Sequence, residues 1–155
     1  MCDAVEKLII VLERAAGLVF MVITAVTLAQ VVCRYALGFS LSWSHELTIL
    51  LLIWVVWLCV PVGLHRCQHL AVTILRDHLG PAARSRLNWI DWVLTVFFFG
   101  LLLLLTFPVI DAFEGMNLLT LPIPTNARFY AASVGSLLAL CVLLAKAQRR
   151  RRPDP

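Results

Sequence analysis

Four histidines and five cysteines are the residues of this chain best suited to redox or metal chemistry. A haem held in a helical bundle needs two axial ligands facing each other from different helices. His65, His69 and His78 share one connecting segment, and His45 lies at the opposite end of an apolar run. No facing pair follows. His65 and His69 stand at i, i+4, but Cys67 lies two residues from each and does not share their helix face, which argues against zinc. The cysteines are Cys2, Cys33, Cys59, Cys67 and Cys141. An odd count without C-x-x-C spacing argues against a disulfide framework or a metal site. Cys33, Cys59 and Cys141 fall in apolar runs, where a thiol behaves as a small hydrophobe. A quinone-linked thiol oxidase needs paired redox cysteines in its outer loops, and these loops contain none. We therefore expect no enzymatic activity, no cofactor and no metal.

The elements that carry these residues are apolar. The chain has 155 residues, of which 61% are hydrophobic and 14% charged. Soluble domains carry about 45–50% apolar and about 25% charged residues, so a soluble fold and disorder are both excluded. Four stretches lack Asp, Glu, Lys and Arg: residues 15–33, 47–64, 92–110 and 129–145. Each matches about 17–19 residues of helix, close to the ~30 Å hydrocarbon thickness. Solidly apolar runs satisfy their own backbone in lipid as helices, whereas barrel strands alternate. The expected fold is all-α, an integral membrane domain of four transmembrane helices spanning residues 1–155. No inverted repeat is evident.

Charge sets the orientation. Lys7, Arg14, Arg66, Arg76, Arg84, Arg86, Lys146 and Arg149, Arg150, Arg151 and Arg152 fall on one side, while residues 111–126 contain no Lys or Arg. The positive-inside rule then makes both termini cytoplasmic. The net charge of +4 reads as this signal and as lipid contact, not as a nucleic-acid surface. Asp3 and Glu6 beside Lys7, and a long apolar run, argue against a cleaved signal peptide. Leu70, Ile74, Leu75 and Leu79 space as one face of a short interfacial helix ended by Gly80-Pro81. Trp89 and Trp92 belong at the lipid interface. Leu121-Pro122-Ile123-Pro124 should be extended.

No ionisable residue lies near the expected midplane, where transporters usually keep one. Thr24, Thr27, Gln30, Ser133 and Ser136 are the polar groups there, suited to helix-packing hydrogen bonds. Trp54 and Trp57 lie deep in the second span, about 12 Å from Glu46 in the first case. Tryptophan at that depth implies a packed surface, either within the chain or against a second membrane subunit.

Arg34-Tyr35, Ser42-Trp43-Ser44-His45-Glu46-Leu47, Ile53-Trp54 and Arg66-Cys67-Gln68-His69-Leu70 resemble the small membrane subunit of tripartite ATP-independent periplasmic (TRAP) transporters, the DctQ type. In that family an Arg-Tyr closes span 1, a Trp and a Glu open span 2, and an Arg followed by His and an aliphatic residue comes after it. Tyr130 preceded by Pro122 and Pro124 is similar too. Thr73 departs from a frequent Asp, and a glycine common between the Arg and His is absent. The resemblance implies a non-catalytic accessory subunit in a bacterial inner membrane. Its partners are a large multi-span TRAP subunit that moves an organic acid with sodium, a periplasmic substrate-binding protein, and phospholipid. It places Arg34, Trp43, Glu46, Trp54, Trp57, Arg66 and His69 at the partner interface.

Each of these residues also has a local reading. Glu46 would sit in the first turn of span 2 behind Ser42 or Ser44 as N-cap, or pair with Arg34. Arg34 would snorkel outward, and Arg66 and His69 would meet anionic headgroups. Since the sequence stops shortly after Arg149–Arg152, no fused large subunit is expected. The competing expectations are a self-sufficient homo-oligomeric transporter or channel, and a haem-bearing electron-transfer subunit.

Overall fold

A computed structural model describes residues 2–66 and 81–151. Four helices account for nearly all of them: α1 Cys2–Ala36, α2 Ser42–Arg66, α3 Pro81–Ala112 and α4 Ala127–Arg151. All four are long and apolar enough to cross a membrane. Among the described residues no strand forms beyond one bridge between Asn117 and Pro124. The helices run past the charge-free stretches. α1 begins well before Arg14 because Glu6, Lys7 and Glu13 favour helix and extend it beyond the apolar part. The expected interfacial helix at Leu70–Leu79 lies outside the described residues.

The packing order is not the chain order. α1 packs on α2, α2 on α4, and α4 on α3. The result is a row, α1–α2–α4–α3, with two central and two edge helices. On α1, Ile9, Leu12, Ala16 and Ile23 are buried, and Val19, Val26, Gln30 and Cys33 are half-buried. Their spacing alternates three and four, the narrow seam of coiled-coil packing. The rest of α1 is largely exposed, including Leu18, Phe20, Met21 and Leu28. α3 repeats this, burying Phe99, Thr106 and Ile110 while exposing Leu94, Phe97, Phe98 and Phe107. The central α4 is the reverse. It exposes one stripe, Tyr130, Val134, Leu137, Cys141 and Leu144, and is covered on both flanks.

Both described loops lie at one end of the row, here named the loop end. Gly38, at φ +73°, turns the chain out of α1 while the N–H groups of Leu37 and Phe39 return to the Cys33 carbonyl, a glycine C-cap. Gly115, at φ +82°, turns the chain after α3, and the Met116 N–H donates to the Phe113 carbonyl at 3.3 Å. Beyond it the chain folds back on itself: Thr125 N–H donates to the Met116 carbonyl at 2.8 Å, and Leu118 N–H to that of Ile123 at 3.0 Å. Pro124 takes part in this pairing, and Leu119–Pro122 form the tip.

Candidate functional site

For a chain of apolar spans, the chemistry lies in how helices and loops are held and what they leave uncovered. The centre is the α2–α4 seam. Trp57 of α2 lies directly on Gly135 of α4. A Cβ on Gly135 would stand 2.8 Å from the Trp57 ring carbon Cε3 and 2.8 Å from its carbonyl oxygen. Pro61, fully buried in α2, has no N–H to offer that carbonyl four residues earlier. The missing Gly135 side chain lets the α4 backbone lie against the released oxygen. Ala131, Gly135 and Ala139 share this face at i, i+4, i+8, and all three are buried. Such small-residue spacing lets membrane helices approach closely, where packing rather than hydrophobicity drives association. Deeper in, Phe99, Ala139 and Leu143 form a buried cluster, with Trp57, Val60, Leu64, Trp92 and Val96 packed around it.

At the loop end, Glu46 reaches from α2 to the tip of the long loop. Its carboxylate accepts the Leu119 N–H at 3.1 Å, the Thr120 N–H at 3.0 Å and the Thr120 hydroxyl at 2.6 Å. Charge-assisted bonds to one carboxylate fix both the position and the direction of the tip. The tip carries Leu119, which is 97% exposed. At the other end of α2, Arg66 pairs with Glu13 of α1 at 2.5 Å. With about half of each side chain in solvent, this pair is a weak tie.

Several sequence expectations are redrawn by these contacts. Glu46 is not in the first turn, because α2 begins at Ser42. Neither Ser42 nor Ser44 is an N-cap. Ser44 lies inside the helix, and its hydroxyl donates to the Leu41 carbonyl at 2.6 Å. The Glu46 carboxylate binds Leu119 and Thr120 rather than Arg34. Trp92, expected among lipid headgroups, packs against the Phe99–Ala139–Leu143 cluster, since it falls on the buried stripe of α3. Trp89 is 66% exposed. Thr24, Thr27 and Ser133 do not bridge helices; their hydroxyls donate to carbonyls four residues back in their own helices.

The remaining candidates divide by exposure. Arg34 is exposed in the last turn of α1, and Trp43 is 40% exposed at the start of α2. Trp54 is half-buried, and Trp57 is taken up by packing inside the chain. Arg149, Arg150 and Arg151 fall in the final turn of α4. His69 and Arg152 lie outside the described residues. Among those described, no group of three or more His, Cys, Asp or Glu is placed to hold a metal ion, and Cys33, Cys59 and Cys141 are free thiols.

Gly135 and the loop contact of Glu46 escaped the sequence reading. The A-x-x-x-G-x-x-x-A spacing of residues 131–139 was the available signal for the first. Nothing local signals the second, which joins residues more than seventy positions apart. A family model described as "Tripartite ATP-independent periplasmic transporters, DctQ component" matches residues 23–152. No curated protein matches the chain significantly.

Proposed function

The chain belongs to the DctQ component family of the tripartite ATP-independent periplasmic transporters, and on that premise we propose that it braces the transporting subunit while carrying no solute itself. It is a small multi-pass membrane subunit and a transport component rather than an enzyme. The family works with a large TRAP membrane subunit and a substrate-binding protein. In the proposed arrangement the large subunit imports an organic acid with sodium across a bacterial inner membrane. Both termini of this chain are cytoplasmic, and the loop end faces the periplasm. Arg34 and Trp43 face the large subunit from that end, and Trp54 from within the span. Phospholipid covers the rest of the apolar surface, with Trp89 and the Arg149–Arg152 run at the headgroups.

The observation that carries this reading is the open row of helices. α1 and α3 are each packed along one seam and expose bulky apolar side chains elsewhere. The charge-free stretches meanwhile supply no station for an ion or an acid. Such a body has broad apolar surface to bury against a neighbour and no route of its own. The test is uptake of a labelled organic acid into proteoliposomes under a sodium gradient. All three components together should concentrate the solute, and omission of this chain should reduce uptake and destabilise the large subunit. Concentrative uptake by this chain alone would overturn the reading, as would full activity and stability without it.

A further inference from the structure

One charged group on the α2–α4 seam carries a buried N–H without an acceptor. Arg128 stands in the first turn of α4, and its buried Nε has no hydrogen-bond partner. Seven residues, about two turns, separate it from Gly135, so it shares the face pressed against α2. On α2, Glu46 precedes Trp57 by eleven residues, about three turns, and shares the face pressed against α4. The Trp57–Gly135 contact fixes the register of the two helices. Both run from the loop end, because Glu46 meets Leu119–Thr120 there while Trp57, Val60 and Leu64 pack on the cluster of Phe99, Ala139 and Leu143 further along. Arg128 is therefore level with Leu50, one turn and about 6 Å below Glu46. The two opposite charges crown the same seam. A guanidinium with an unsatisfied buried N–H strongly favours an acceptor, and this carboxylate is the anionic group on that face. Asp111 and Glu114 also lie at the loop end, but at and beyond the end of α3, where both are exposed.

We propose that Glu46 has two seats: the loop tip, where the structure shows it, and the Arg128 guanidinium one turn deeper. Moving from the first to the second frees the N–H groups of Leu119 and Thr120 and releases the tip that presents Leu119. The carboxylate thus acts as a latch on the long loop, and Arg128 sets how often the latch opens. The latch is intrinsic to this chain and does not depend on what the assembled complex transports.

Amide hydrogen exchange at Leu119 and Thr120, measured on the full chain in lipid nanodiscs, tests this. Exchange there follows the fraction of time the tip is released. Glu46→Gln should accelerate it about tenfold. Arg128→Gln removes the second seat and should slow it about threefold, while Arg128→Lys keeps the charge and should stay near wild type. In the Glu46→Gln background, Arg128→Gln should have no further effect. Unchanged or faster exchange in Arg128→Gln would overturn the latch. So would a slowing that persists without the Glu46 carboxylate, which would assign Arg128 to Asp111, Glu114 or lipid.

Discussion

Replacing Gly135 with alanine adds a single methyl at the tightest point of the α2–α4 seam. The new Cβ would lie 2.8 Å from the Trp57 carbonyl oxygen, 2.8 Å from Cε3 and 2.9 Å from Cβ, where ordinary contact begins at 3.4 Å. The ring can turn away, but the oxygen belongs to the α2 backbone, and Pro61 one turn on restricts how α2 can bend. The two helices must part by about 0.6 Å at that point to restore ordinary contact. Overpacking of this kind costs about 1–3 kcal/mol. Alanine also gains about 1 kcal/mol over glycine in helix preference, which would mask part of the loss. Gly100, half-buried in α3 with nothing within 4 Å of an added Cβ, is the internal control, because Gly100→Ala carries the same helix gain without the clash. Reversible unfolding in mixed micelles should therefore place Gly135→Ala about 1–3 kcal/mol below Gly100→Ala. Equal stability of the two variants would refute the close approach, and with it the register from which Glu46 and Arg128 were placed.

Other outcomes follow from the same contacts. Trp57→Ala should cost toward the lower end of ~3–5 kcal/mol in the same unfolding assay, because the ring is half-buried on the seam, whereas Trp89→Ala, largely exposed, should change little. Gly38→Ala puts a side chain into left-handed backbone at φ +73° and should destabilise the chain by about 1–2 kcal/mol; stability at the wild-type level would show that the α1–α2 turn re-forms otherwise. A double-mutant cycle on Glu13 and Arg66 should return a coupling of no more than ~1 kcal/mol, falling with added salt. In co-purification with the large subunit, paired Arg34→Ala and Trp43→Ala changes should reduce recovery of the complex, and Trp57→Ala should reduce it only as far as it lowers the stability of the chain itself.

Charge alone marked four spans in the sequence, since an uninterrupted apolar run has one stable form in lipid. The motif from Arg34 to Leu70 pointed to the family, because it sits at span ends where polar residues are few and each is informative. By spacing, the sequence also argued against a haem or zinc centre. It carried almost nothing about which faces meet. A helix between water and a core shows its buried side by contrast, but lipid is as apolar as a leucine-rich interface, so a span that is hydrophobic all round carries no such contrast. Trp92 and Trp89 looked alike for this reason, and only packing separated them. The row order α1–α2–α4–α3 rests on small residues and one buried proline, whose meaning depends on what lies opposite. The partner of Glu46 was decided last and at the longest range. A carboxylate takes whatever N–H groups the folded chain brings within about 3 Å, and the loop that supplies them reaches Glu46 only once α2 and α4 have met.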